Sequence, residues 1–468
     1  MKPINAPQLA DDIISQLPFT PNELQLKLIA AISDFMASSD TRGIFLLNGY
    51  AGSGKTSIMG ALIKALKNLK IKTATLAPTG RAAKVAANFS AGKSSTIHRR
   101  IFRPESDAPG SGYIPAPNNS RDTLFIVDEA SLIQDSPSKG NSLLWQLLRY
   151  VYSAPGNKAI FVGDVAQLPP IGMEGAPAMN IERLSQIGLT PTSFTLDLPM
   201  RQAESGGILH NATNVRQLIF APIAGMQAEI VTRGYEDVQV ISSMELADCL
   251  SDSWAQVGVE NSIIITRSNS RANRYNMAIR NMVMMAEEPL QQGDRLVIAK
   301  NDYFWSKINK LDTFIANGDM AEVKWVGKTE KMYGRFFTEV ELQLQTSPTP
   351  ISAKIMLRSL MCDGPAIPRA EMDKFYTHVL AEYEGELSEK IKGTMEDEYY
   401  NALQAKYGYC ITCHKAQGGQ WKHVYIDMSG IDPAALDETF YRWLYTAITR
   451  ATEKVFFINP TIPTDLPD

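Results

Sequence analysis

A chain of 468 residues exceeds what one ordinary hydrophobic core supports, and 44% hydrophobic with 21% charged residues describes a soluble globular protein of two large domains plus insertions. No run approaches the roughly 18 uninterrupted apolar residues of a membrane span, and Met1-Lys2-Pro3-Ile4-Asn5 has no apolar export signal, so the expected compartment is the cytoplasm, with no membrane partner. A net charge of −4 argues against a uniformly basic nucleic-acid coat while leaving room for a basic groove on an acidic body, and four cysteines cannot frame a chain this long.

The first third alternates strands and helices. Apolar strands are predicted over 43–48, 73–77, 124–127 and 159–162, with a helix over 57–69, and such alternation implies a parallel sheet covered on both faces. Residues 101–121, rich in proline, glycine and asparagine, interrupt it as a loop or small hairpin insertion. A second alternating region starts near Phe194 and includes a strand over 262–266. After about residue 295 it gives way to strand-like runs at 321–326 and 338–344, then to charge-rich helices over 367–406. It resumes at Gly408 with strands over 424–427 and 455–458.

Between the first strand and the first helix stands Gly49-Tyr50-Ala51-Gly52-Ser53-Gly54-Lys55-Thr56, a complete phosphate-binding loop. Its glycines let backbone N–H groups wrap phosphate oxygens at a helix N-terminus; Lys55 is placed to neutralise the β- and γ-phosphates of ATP, and Thr56 to ligate Mg²⁺. At the end of the strand over 124–127, Asp128 is expected to hold the Mg²⁺ and Glu129 to act as general base on the attacking water.

These two motifs alone fit many ATPases, small-molecule kinases included. Further segments discriminate: Leu76-Ala77-Pro78-Thr79-Gly80-Arg81-Ala82-Ala83-Lys84, Ser95-Thr96-Ile97-His98-Arg99, Gly163-Asp164-Val165-Ala166-Gln167-Leu168-Pro169-Pro170, Thr412-Cys413-His414-Lys415-Ala416-Gln417-Gly418 and Leu444-Tyr445-Thr446-Ala447-Ile448-Thr449-Arg450-Ala451. In wording and order, over nearly the whole chain, they resemble superfamily 1 helicases of the B branch, the RecD-like and Dda-like enzymes.

The resemblance implies an α/β fold: two RecA-like parallel-sheet domains in tandem with ATP between them. The first would span 1–190 with a pin-like insertion at 101–121, the second 191–295 and 407–468. The intervening 296–406 would hold a small β-barrel followed by a helical extension. It also implies roles: Gln25 reading the adenine edge, Gln167 sensing the γ-phosphate beside Asp164, and Arg201 and Arg450 reaching across as arginine fingers. An ordinary surface ion pair is the alternative for Arg201, and a solvated helix position for Gln25.

Pro78, Thr79, Thr96, His98, Thr412, His414 and Lys415 match the family positions that line a single-stranded DNA track. Tyr303-Phe304-Trp305 fits base stacking or a buried strand equally, and Tyr113 either a wedge at a single-/double-strand junction or loop decoration. Cys410-x-x-Cys413-His414 mimics a haem or zinc motif, but it overlays the helicase segment and has no second cysteine pair beside it. The activity implied is a monomeric ATP-driven motor moving 5′ to 3′ on single-stranded DNA and unwinding duplex. The alternatives are a RecD-like subunit active only in a larger repair complex, or a P-loop small-molecule kinase.

Overall fold

The computed structural model describes residues 3–90, 94–104, 113–136, 142–197, 206–221, 228–311, 314–345, 347–432 and 436–465. The chain enters its first sheet through β1 (Gly43–Gly49), β2 (Lys72–Ala77) and β3 (Ser94–Thr96), makes the short antiparallel hairpin β4 (Phe102–Pro104) and β5 (Tyr113–Pro115), and returns as β6 (Thr123–Val127), β7 (Lys158–Gly163) and β8 (Thr190–Leu196). The strand order is β3-β2-β6-β7-β1-β8, and every pairing is parallel.

Alternate residues of the central strands feed two separate cores, as a pleat of period two requires. Phe45, Leu47, Leu124, Ile126, Ile160 and Val162 meet the helices Ala6–Ser15, Glu23–Ala37 and Lys55–Asn68 on one face. Ile44, Leu46, Phe125, Val127 and Phe161 meet the helix Leu143–Tyr152 on the other. Each such side chain, fully buried, contributes on the order of 1.5–3 kcal/mol.

The expected boundary at 190/191 is corrected by β8, which pairs with β1 from Gly43↔Thr190 to Gly49↔Leu196 and so carries the first sheet through Leu196. It is an edge strand with one neighbour, largely open to solvent, and its Thr-Pro-Thr-Ser start gives no apolar run to read.

The second half begins with β9 (Val238–Ile241) and β10 (Ser262–Thr266). An insertion follows: β11 (Arg295–Ile298), β12 (Met320–Met332), β13 (Arg335–Leu344), β14 (Ile351–Met356) and β15 (Ala405–Tyr407), antiparallel in the order β14-β13-β12-β11-β15. Its edge strands approach each other where the Met356 N–H donates to Leu403 O at 3.1 Å. Helices Arg369–Glu382 and Leu387–Glu396 precede β15, and Phe375 and Val379 of the first pack on Phe337 and Met356. The chain then completes a second parallel sheet with β16 (Cys410–Thr412), β17 (Trp421–Asp427) and β18 (Ala451–Ile458), in the order β16-β10-β17-β18-β9. Among the described residues, no helix is long and apolar enough to cross a membrane.

Candidate active site

The carboxyl ends of β1, β7 and β6, three adjacent strands, carry the phosphate loop, Asp164 and Asp128. Such an edge is where open α/β sheets bind ligands. Gly52 and Gly54 take left-handed backbone (φ 73° and 89°), and Gly54 starts the helix Lys55–Asn68 without a side-chain cap, leaving its first N–H groups directed into the loop. Lys55 Nζ folds back to donate to the carbonyls of Gly49 and Tyr50. Ser53 Oγ is buried with no hydrogen-bond partner, and Thr56 is exposed.

Gln25 is 2% exposed. Its amide oxygen closes a capping box with the Asn22 N–H at 3.0 Å, and its nitrogen donates to Ser53 O at 3.2 Å, so the side chain braces the phosphate loop from below. Burial, reinforced by the charge of Glu129, pushes the Asp128 carboxyl up to about 7. Glu129 itself sits in left-handed backbone at φ 51°, an uncommon strain for a non-glycine residue at the end of a central strand. Hard oxygen donors at Asp128 and Thr56, beside a carboxyl short of positive charge, fit a Mg²⁺ ion.

The segment 163–170 is wired to the second half. Asp164 Oδ2 accepts from the Tyr445 hydroxyl at 2.8 Å, and that hydroxyl accepts from the Ala51 N–H of the phosphate loop at 3.0 Å. The Leu168 N–H donates to Thr446 Oγ1 at 2.8 Å, Gln417 Nε2 donates to Leu168 O at 2.7 Å, and Arg442 donates to Val165 O. Gln167 Nε2 leans on Asp164 Oδ2 at 3.4 Å, and its buried Oε1 has no partner.

Arg450 is 4% exposed and turned into its own half: its nitrogens donate to Thr446 O, Gly419 O and Thr449 Oγ1 at 3.0, 3.2 and 3.1 Å. Arg201 lies outside the described residues. The motifs that hold Tyr445, Thr446 and Gln417 are legible in the sequence, but their contacts across the cleft are not, and Arg442 lies in no motif. Their partners lie more than 240 positions away, and a single sequence carries no signal for that.

The remaining candidates cluster at β2, β3 and β16, away from β1. Thr79 and Thr96 cap the helices Gly80–Phe89 and Ile97–Ile101, each hydroxyl accepting a backbone N–H, and Pro78 precedes Thr79 at the end of β2. Thr412 starts the helix Cys413–Ala416 on the second half. The two segments touch: a Cβ on Gly418 (φ 70°) would stand 2.9 Å from Ala82 Cβ and 3.4 Å from Thr79 Oγ1, so glycine is required by backbone and by space alike.

Arg81 stacks 4.2 Å over Trp421 beside this contact, and burial lowers its pKa to about 10. His98 and His414 are exposed, and partial desolvation lowers the pKa of each. Lys415 is lowered to about 8 by burial, with Lys406 adding repulsion. Thr96 also lines a cavity of about 240 Å³ together with Lys84, Arg99, Phe314 and Gln345.

The aromatic run divides. It forms the short helix Phe304–Ile308 rather than a strand: Trp305 is buried, donating from Nε1 to Asn401 O at 2.8 Å, whereas Tyr303 is 39% exposed. Tyr303 packs on Tyr113 of the hairpin at 4.7 Å and on Phe314 at 5.0 Å between ring centroids. The turn of the expected pin, 105–112, lies outside the described residues. Cys410 and Cys413 are both buried free thiols, and Cys413 Sγ donates to Trp443 O at 3.6 Å.

Comparison with known proteins matches residues 23–215 to an AAA domain and residues 407–458 to a UvrD-like helicase C-terminal domain. An ATP-dependent RecD2 DNA helicase from Deinococcus radiodurans is 30% identical over 169 residues, 36% of this chain and 21% of that protein. An AAA-domain match over the phosphate loop and a UvrD-like helicase C-terminal match over the last motifs thus stand in one chain, in the order in which the two parallel sheets follow each other.

An uncharacterized protein of Acanthamoeba polyphaga mimivirus is similar over nearly the full length, 23% identical across 90% of this chain and 96% of that one. The chain thus spans most of the viral relative but about a fifth of the Deinococcus helicase. A crystal structure of Pif1 helicase from Bacteroides in complex with ADP-AlF3 and ssDNA superposes with a TM-score of 0.49 at 18% identity, covering 96% of this chain and 95% of that one.

Proposed function

We propose that this chain is an ATP-driven helicase motor that moves 5′ to 3′ along single-stranded DNA and unwinds duplex ahead of it. The observation that carries the reading is a division of labour along one sheet edge. The ends of β6, β7 and β1 hold phosphate-binding and acidic groups, the ends of β2 and β3 hold Pro78, Thr79, Thr96 and His98, and both sets are bonded or packed to the second half. A change in the cleft is thereby coupled to a change at the DNA edge.

In this reading residues 49–56 cradle the phosphates, Lys55 stabilises charge developing on the γ-phosphoryl group, and Glu129 takes the proton of the attacking water. Asp128 and Thr56 would hold Mg²⁺, which supplies neutralisation of the β- and γ-oxygens when bound. Gln25 supports the loop near the base, and Asp164 and Gln167 report the γ-phosphate to Tyr445 and Thr446. Arg201 and Arg450 are the cations contributed by the second half, Arg450 after exchanging its present carbonyl partners. Thr412, His414 and Lys415 meet the DNA backbone opposite Thr79, and the hairpin at 101–121 meets the junction.

Strand displacement on duplexes carrying a 5′ or a 3′ single-stranded tail tests this. The expected outcome is ATP-dependent displacement from the 5′-tailed substrate. Displacement from 3′-tailed duplex alone would reverse the polarity, and none from either would limit the chain to a subunit of a larger assembly.

A further inference from the structure

The second half brings another cation to the cleft. Arg216, on the helix Gly207–Phe220, places its guanidinium 4.2 Å over the ring of Tyr50, the second residue of the phosphate loop. Tyr50 also meets Phe220, one turn further along this helix, at 5.8 Å between ring centroids, so the helix face bearing Arg216 is held against the loop. The same guanidinium is close enough to act electrostatically on both Tyr50 and Tyr445, the latter bonded to Asp164 and to the Ala51 N–H. Among the described residues, no carboxylate lies within ion-pair distance of it, whereas Arg271 and Arg280 in the same half are each paired with an aspartate.

We infer that Arg216 is a γ-phosphate ligand contributed from the second half, a catalytic residue of the helicase beyond Arg201 and Arg450; the inference rests on the ATP-site reading above. A partly buried arginine resting on an aromatic face keeps its five N–H donors unclaimed by any anion. A cation–π contact is weaker than a charge-assisted, bidentate pair with a phosphate oxygen, so a nucleotide recruits the fork from its resting position at little cost. Arginine suits this better than lysine, because one planar group stacks on the ring before the nucleotide arrives and grips two oxygens after. The seat on Tyr50 also explains what Arg450 does not supply here: Arg450 is committed to three acceptors of its own half, while Arg216 already overhangs the loop.

The contact is made to the third phosphate, so it separates triphosphate from diphosphate. The experiment measures binding of fluorescent ADP and of a non-hydrolysable ATP analogue, each with Mg²⁺, to the full chain and to Arg216→Ala and Arg216→Lys, alongside ATP turnover. The expected result for Arg216→Ala is an analogue affinity at least about tenfold weaker, ADP affinity within twofold of wild type, and turnover about 10²-fold lower. Arg216→Lys keeps the charge and most of the stem and should show the same selectivity in milder form, which guards against a folding defect in the alanine variant.

Equal loss of both nucleotides would make Arg216 a brace for the phosphate loop and overturn the inference, as would no loss of either. Lys55→Ala separates the levels of failure. If it weakens nucleotide binding or abolishes turnover while Arg216→Ala is not selective, this inference alone falls; if wild type binds neither nucleotide, the ATP-site reading falls with it.

Discussion

The carboxyl edge of the first parallel sheet and the segment that leads into β18 of the second meet at one cleft but equip it in opposite ways. The first presents groups that still want a partner: N–H donors in left-handed glycine backbone, an unpartnered Ser53 hydroxyl, and an Asp128 carboxyl pushed up to about 7. Apart from Arg216, the second presents groups already satisfied: the Tyr445 hydroxyl between Ala51 and Asp164, the Thr446 hydroxyl on Leu168, and Arg450 on three acceptors. An unsatisfied buried group binds; a satisfied one moves only when a stronger partner competes for it. On the proposed function, the first sheet would hold the nucleotide and the second would register it.

The largest break in that asymmetry should come from Lys55→Ala. With the loop's lysine gone, ATP turnover should fall by at least about 10³-fold in a folded protein, measured as phosphate release. Near-normal turnover would mean the first sheet is not the holder. Glu129→Gln comes next: the amide keeps the shape and loses basicity, so turnover should drop about 10²–10³-fold while Mg·ATP still binds. Loss of binding in that variant, read by equilibrium titration, would assign the metal to Glu129 and the base to Asp128.

Arg450→Ala addresses the registering side. Turnover stimulated by single-stranded DNA should fall about tenfold to a hundredfold with DNA affinity nearly unchanged. Because the guanidinium also satisfies three acceptors, the fold should lose about 1–3 kcal/mol by denaturant titration. A loss confined to DNA affinity would move Arg450 from the cleft to the track.

The smallest effect concerns pH. Lys415 has its pKa lowered to about 8, and a bound phosphate raises it, so DNA binding near that pH takes up part of a proton. Affinity from this contact is full below about pH 8 and is lost as pH climbs above it. The measured affinity should therefore weaken by a few-fold between pH 7 and 9, and Lys415→Arg should flatten that slope. An unchanged slope in Lys415→Arg would take Lys415 off the track.

What the chain revealed before folding divides along the same physical line. β1, β6, β7 and β10 were legible because strands buried on both faces must be continuously apolar, as 44–47, 124–127, 159–162 and 263–265 are. The phosphate loop was legible because its chemistry is local, eight consecutive residues between a strand and a helix. β8 was not read as part of the first sheet, since an edge strand with mixed Thr, Pro and Ser lacks that pattern. Tyr303–Trp305 was open because adjacent aromatics look alike until packing buries one and exposes another. The bonds from Asp164 and Leu168 to Tyr445 and Thr446 join residues some 280 positions apart, and no local rule encodes them.

Gly418 sets the spacing between the halves at a single point. With 2.9 Å between its hypothetical Cβ and Ala82, even a methyl group there would prise the Thr79 segment from the 412–418 segment by several tenths of an ångström. The bonds from Tyr445 and Thr446 stand further along the same sheet edge, at the segments that follow β7 and β1, across β6 from the Thr79 segment, with neighbouring strands about 4.8 Å apart. Were the two halves to rock about Gly418, a tilt of a few degrees would barely shift that point yet would open or shut the far flank by an appreciable fraction of a hydrogen bond's length. Filling that notch with a side chain would replace no residue of the ATP site, yet it would reset the distance across which Gln417 reaches Leu168.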